Sequence, residues 1–180
     1  MIYSLCGFMG AGKSTIGKIL ANEYAYGFVD LDNYVENKFG KTITQLFNDL
    51  GEDKFREEEY NALNEVIINY KQLGDKKKYG LIISLGGGTI VNSKSVELLK
   101  KETFSIYLKC SKEVLFKRLK KNNSHRPLLC GKSDEEILNT ISNMMDLREL
   151  NYINVANLIF DTKDYSLRLI VEKLKEVVEF

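Results

Sequence analysis

An apolar run, Ile2-Tyr3-Ser4-Leu5-Cys6, passes directly into Gly7-Phe8-Met9-Gly10-Ala11-Gly12-Lys13-Ser14, and residues 7–14 spell G-x-x-x-x-G-K-[ST]. Downstream, Ile16, Ile19, Leu20 and Tyr24 recur at three- and four-residue spacing, the period of a helix with one apolar face. Strand, glycine loop and helix in that order leave few folds open. The glycines let the backbone wrap until several N–H groups point inward, and the helix turns the positive end of its dipole toward the same point. Such a loop cradles the phosphates of a nucleoside triphosphate. Gly10, Ala11, Gly12, Lys13, Ser14 and Thr15 are the expected contacts, Lys13 the catalytic cation on the β and γ phosphates, and the Ser14 hydroxyl a ligand of Mg²⁺. The alternative is a plain glycine turn with an exposed lysine, which would contribute little to the core.

The remaining chain alternates strand and helix. Residues 27–31, 81–85, 104–108 and 158–160 read as four further short strands, and Leu167, Ile170, Val171, Leu174 and Val178 as a C-terminal amphipathic helix. Alternation of this kind predicts an α/β fold with a parallel sheet covered on both faces. With 180 residues, 44% of them hydrophobic, and a single proline, the chain is expected to fold as one domain. Between the second and third strands, Thr42 and Gln45 form a capping-box pattern, Gly51 can end that helix, and Phe55, Ala62, Val66 and Tyr70 mark a longer one. This insertion exceeds a simple crossover, so residues 33–62 are expected to form a subdomain beside the sheet edge. Residues 120–132 hold the only histidine and the only proline, His125 and Pro127, and Ser133 with Glu136 caps the helix that follows. That stretch reads as a lid-like loop, and Lys76-Lys77-Lys78 as a solvated turn.

Charge and cysteine content narrow the function further. Twenty-six basic against 25 acidic residues leave a net charge of +1, which favours neither nucleic acid nor an anionic membrane. Cys6, Cys110 and Cys130 are odd in number and widely spaced, which suits reduced thiols in the cytoplasm better than a disulfide framework. No apolar run is long enough to span a bilayer, and the apolar start lacks a charged leader region. No oligomerisation seam stands out, so a monomer acting on a small molecule is expected. A regulatory GTPase should carry N-K-x-D, yet the only Asn-Lys pair continues Asn37-Lys38-Phe39-Gly40. A motor ATPase should end an apolar strand in an acid, yet residues 81–85 lead into Gly86-Gly87-Gly88.

Four further features bear on chemistry. Asp30 and Asp32 lie at i and i+2 after the second strand, where open α/β sheets form their ligand crevice. If the chain stays extended there, Asp30 can steady the water shell of Mg²⁺ while Asp32 accepts the proton of a substrate hydroxyl; the alternative is a turn or helix cap. Arg56 stands four residues after Glu52 and three before Glu59, which an ordinary exposed ion pair would also explain. Arg148 falls on the helical seam Ile137, Ile141, Met145, Arg148, Tyr152, where the period calls for an apolar side chain, so it either meets a ligand or snorkels to solvent. The glycines at 86–88 permit a tight turn and also a close backbone approach to a ligand.

Taken together, G-x-x-G-x-G-K-[ST], F-x-D-x-D at 28–32, G-E-x-x-F-R-x-x-E at 51–59, G-G-G at 86–88, R-P-L-L at 126–129 and R-x-x-x-Y-x-x-V-A at 148–156 resemble the shikimate kinases over nearly the whole chain. The resemblance implies a P-loop fold like that of nucleoside monophosphate kinases. Its parts are a five-stranded parallel sheet, a substrate subdomain after the second strand and a lid over the nucleotide. It implies phosphorylation of shikimate by ATP. It carries shikimate contacts onto Asp32, Arg56, Gly87 and Arg148, the Mg²⁺ hydroxyl onto Ser14, and a catalytic, nucleotide-facing lid arginine onto Arg126. P-loop, lid and acid pair alone would equally suit a related small-metabolite kinase, such as one for gluconate; the two arginines discriminate. Adenine contacts are the least defined part. Residues 117–121 should approach the base without indicating which cation stacks on it, and Asp161-Thr162-Lys163-Asp164 offers no proline or other rigid feature.

Overall fold

A computed structural model describes residues 1–74, 80–121, 129 and 131–180. Strands β1 (Ile2–Cys6), β2 (Gly27–Asp30), β3 (Leu81–Ser84), β4 (Phe104–Lys109) and β5 (Leu158–Asp161) form one sheet. Its order is β2-β3-β1-β4-β5, and every pairing is parallel. Helices α1 (Lys13–Glu23), α2 (Leu31–Phe39), α3 (Ile43–Leu50), α4 (Glu52–Gln72), α5 (Ser93–Glu102), α6 (Lys112–Lys121), α7 (Asp134–Val155) and α8 (Leu167–Val177) connect and cover the strands.

Every residue of β1 and β3 is buried, which is why both read as continuous apolar runs and not as alternation. Of the two polar exceptions, Ser4 and Ser84, Ser4 hydrogen-bonds the hydroxyls of Thr103 at 3.0 Å and Ser105 at 2.7 Å. Two apolar layers flank the sheet. Ile16 and Leu20 of α1 pack with Ile170 and Leu174 of α8 on one face. Val35, Phe55, Leu63 and Leu99, from α2, α4 and α5, fill the other.

The expected elements all form, with shifted boundaries. β2 stops at Asp30, and Leu31, 0% exposed, already opens α2. The chain is therefore not extended across Asp30 and Asp32. Asp30 instead caps the helix, its Oδ1 accepting the Asn33 N–H at 3.2 Å, because burying Leu31 beneath the helix turns the backbone one residue early. β3 ends at Ser84, one residue short of the expected strand. Both predicted capping boxes, Thr42 with Gln45 and Ser133 with Glu136, are present. Gly51 separates α3 from α4 at φ +75°, and Phe47 packs on Phe55 across that break with ring centroids 4.2 Å apart. Residues 33–62 thus comprise most of α2, all of α3 and the first half of α4. Most of the 120–132 stretch, Arg126 included, and Lys76-Lys77-Lys78 lie outside the described residues.

Candidate active site

The glycine loop leaves β1 in the middle of the sheet and must pass close under β4. A Cβ on Gly7 would lie 2.8 Å from the Leu108 carbonyl oxygen, and Gly12 caps α1 at φ +94°, so neither position suits another residue. Lys13 is not exposed. It is 8% accessible, and its ammonium donates to the Gly7 carbonyl at 2.9 Å and the Phe8 carbonyl at 3.1 Å. The loop's own carbonyls thereby hold the charge inside the cradle. Ser14 Oγ lies 3.2 Å from Ser84 Oγ at the end of β3, joining the loop to the neighbouring strand.

Beside the loop runs a cleft of about 590 Å³, from Asp32, Leu85 and Gly87 past Gly10, Gly12, Lys13, Ser14 and Thr15 to Arg118, Tyr165 and Leu167. Of the expected contacts at residues 10–15, Ala11 alone is absent from its lining; that side chain is fully buried in the core. Asp30 does not line the cleft either.

Asp32 projects from the first turn of α2 toward the glycine turn. A Cβ on Gly86 would lie 2.6 Å from both Asp32 Oδ1 and Glu59 Oε1, so the two carboxylates converge on one glycine. Burial first, then the Glu59 charge, push the Asp32 carboxyl up from 3.8 to about 6, against the pull of Lys13 and Arg56. Glu59 is itself 1% exposed and accepts from Arg56 at 2.7 Å and from Thr89 Oγ1 at 2.6 Å.

Arg56 forms both ion pairs that its helical spacing allows, to Glu52 at 3.3 Å and to Glu59, but its side chain is only 12% exposed. Its guanidinium lies 5.2 Å from the ring centres of Phe47 and Phe55, and its Nε is buried without a hydrogen-bond partner. It is pressed so closely against Gly88 that a Cβ there would come within 2.2 Å of Nη2. A guanidinium held this way is a fixed, largely buried group and not a solvated surface charge. From the other side, Arg148 of α7 reaches the same turn, with Nη1 3.4 Å from the Gly87 carbonyl, instead of snorkelling outward. Among the described residues it pairs with no carboxylate. The two arginines, 92 positions apart in the chain, thus meet at adjacent glycines.

The far end of the cleft holds residues that periodicity did not single out. Of the cations in α6, Arg118 lines it, donating to the Gly10 carbonyl at 3.3 Å; its signal in the sequence was being the one arginine among lysines. The loop after β5 is anchored at Thr162 despite lacking proline, a fixed feature the sequence-based expectation did not include. Thr162 is fully buried, and its N–H and hydroxyl both donate to the Lys109 carbonyl at 2.8 Å. Lys163 then turns through φ +45° and delivers Tyr165 and Ser166 to the cleft.

Comparison with known proteins agrees with this arrangement. The family model described as shikimate kinase matches residues 9–179. The shikimate kinase of Azobacteroides pseudotrichonymphae is 39% identical over 170 residues, spanning 94% of this chain and 95% of that protein. That of Chlorobium limicola is 39% identical over 180 residues, spanning 97% and 81%. The crystal structure of the Bacteroides thetaiotaomicron shikimate kinase superposes with a TM-score of 0.87 at 33% identity, covering 100% of this chain and 99% of that one. The Acinetobacter baumannii shikimate kinase, solved in complex with shikimate, gives 0.85 at 30% identity, covering 98% and 91%. With its nucleotide loop, its glycine turn between two arginines and a family match over nearly its whole length, the chain belongs to the shikimate kinase family.

Proposed function

We propose that this protein transfers the γ-phosphoryl group of ATP to a hydroxyl of shikimate, giving ADP and shikimate 3-phosphate on the route to chorismate and the aromatic amino acids. The observation that carries the reading is the meeting of Arg56 and Arg148 at Gly88 and Gly87, of which Gly87 lines the cleft although neither arginine does. Two forked cations converging on one point suit a carboxylate. The P-loop beside them suits a triphosphate.

In this scheme the loop N–H groups and Lys13 hold the β and γ phosphates, and Gly87 offers backbone to the acceptor. Asp32 orients the acceptor hydroxyl and takes its proton as the oxygen attacks phosphorus. A carboxyl with a pKa near 6 is ionised at neutral pH yet still basic enough for that task. Arg126 is assigned to neutralise charge on the transferred group, with residues 120–132 as lid and 33–62 as the substrate-binding subdomain. Mg²⁺ is assigned to Ser14; Asp30, held as the N-cap of α2 outside the cleft lining, is assigned to act on the ion through its water shell and not as a direct ligand. Oxygen donors fit that ion, since Ser14 lines the cleft, and among the described residues no three acidic, histidine or cysteine side chains gather as a separate cage. Bound there, Mg²⁺ would neutralise phosphate charge. The protein is assigned to the cytoplasm as a monomer. Cys6 and Cys110 are free and buried, which suits a reducing compartment, and among the described residues no helix is long and apolar enough to cross a membrane.

Coupled ADP release with shikimate, gluconate and other hydroxy acids tests the reading. Turnover is expected with shikimate, and turnover with another polyol acid but none with shikimate would overturn it.

A further inference from the structure

Two donors from one helix reach a single acceptor at the glycine turn. Arg148 and Tyr152 are i and i+4 on α7, on the same face. The Tyr152 hydroxyl donates to the Gly87 carbonyl at 2.5 Å, whereas Arg148 Nη1 lies at 3.4 Å from that oxygen. The first is a short, strong bond and the second stands at the outer limit of one. The carbonyl is thus satisfied chiefly by the neutral donor, and the cationic donor, only loosely engaged with that oxygen, also hydrogen-bonds the Tyr152 hydroxyl itself.

What fixes the hydroxyl is the sheet. Tyr152 is 1% exposed, and its ring stacks on Tyr107 of β4 at 5.0 Å between centroids with 19° between planes. Tyr107, equally buried, pairs in register with Cys6, the last residue of β1 before the phosphate loop. Burial, the largest influence on the Tyr152 phenol, holds its pKa above the ordinary tyrosine value, so it remains a donor throughout the working pH range. Because a trans peptide points its carbonyl and the following N–H in opposite directions, holding the Gly87 oxygen against α7 also turns the Gly88 N–H away from α7. Gly88 is the residue against which Arg56 rests.

We propose that Tyr152 is a positioning residue for the acceptor's carboxylate: by occupying the Gly87 carbonyl and fixing the 87–88 peptide, it keeps the Arg148 guanidinium available to the ligand. The proposal rests on the reading above, in which Arg148 binds that carboxylate. Without the hydroxyl, the half-buried carbonyl lacks its neutral donor, and Arg148, already within reach, closes on it to make a charge-assisted bond. The cation is then spent on the protein. No phosphate contact is involved.

The test is Tyr152→Phe, which keeps the ring and its stack on Tyr107, with folding checked by circular dichroism. The expected result is a KM for shikimate raised about tenfold, the effect of losing one net hydrogen bond to a charged group, with kcat and the KM for ATP within about twofold of wild type. In Arg148→Lys/Tyr152→Phe, shikimate binding should be no weaker than in Arg148→Lys alone, because the hydroxyl acts through the guanidinium. A shikimate analogue lacking the carboxylate should bind Tyr152→Phe as it binds wild type. A general packing defect would instead lower kcat, raise both KM values and add to Arg148→Lys, and that pattern overturns the proposal. So does an unchanged shikimate KM in Tyr152→Phe while Arg148→Lys weakens binding; the carboxylate reading then survives alone. If Arg148→Lys itself leaves shikimate binding unchanged, the carboxylate reading fails and the proposal falls with it. Should Tyr152→Phe not fold, Tyr107→Phe, which keeps the stack and the Tyr152 hydroxyl, is expected to retain the wild-type shikimate KM, and a tenfold rise there counts against the assigned role of that hydroxyl.

Discussion

Replacing Asp32 with Asn should make the protein more stable and nearly inactive, and the pH dependence of the gain identifies its cause. Folding raises the Asp32 carboxyl from 3.8 to about 6, because burial and the neighbouring Glu59 disfavour its charge. The folded state therefore binds more protons than the unfolded state between those values, and stability falls as pH rises through that window. Above it the whole penalty is present. At 1.36 kcal/mol per pKa unit the displacement corresponds to about 3 kcal/mol, and partial solvent access at the cleft lowers the expected figure to about 1–3 kcal/mol. Asn carries no charge, so the variant should match wild type near pH 4 and exceed it by that amount at pH 7.5, measured by urea unfolding without ligands. In the same preparation kcat should drop by about 10²–10⁴, since an amide cannot take the hydroxyl proton. An Asn variant less stable than wild type at pH 7.5, or a stability difference that does not change with pH, would refute the argument that Asp32 is held ionised at a cost.

Lys13→Ala should remove most phosphoryl transfer and, because the ammonium bonds the Gly7 and Phe8 carbonyls from a buried position, also cost about 1–3 kcal/mol in denaturant unfolding; unchanged turnover would count against the phosphate-loop assignment. Arg56→Lys and Arg148→Lys should each weaken shikimate binding by about 1.5–3 kcal/mol with ATP affinity barely altered, and calorimetry on the double variant should show non-additivity because the two share one anion. Gly86→Ala puts a methyl 2.6 Å from the carboxylates of both Asp32 and Glu59, so kcat/KM should fall by about tenfold or more and stability by about 1–3 kcal/mol; a fully active, equally stable variant would show that the two acids do not converge there.

Local rules acted over a few residues and were legible in the chain. The phosphate loop, its flanking strand and helix, the buried strands and both capping boxes depend on spacing, burial period and short-range hydrogen bonds, and each formed where expected. Arg148 was detectable because it broke an apolar seam. Boundaries were less legible. Whether Asp30 ends a strand or begins a helix depends on Leu31 finding a core to fill, and that core is built from residues far along the chain. Three-dimensional packing alone decided that Lys13 is buried, that Arg56 lies against two phenylalanines and Gly88, and that Glu59 joins Arg56, Thr89 and the neighbourhood of Asp32. It likewise selected Arg118 for the cleft and anchored the loop after β5 through Thr162. A sequence encodes charge, shape and period position by position. Convergence of side chains from α2, α4 and α7 on one glycine turn is set by how helices seat on a twisted sheet, a property of the assembled layers that no local window contains.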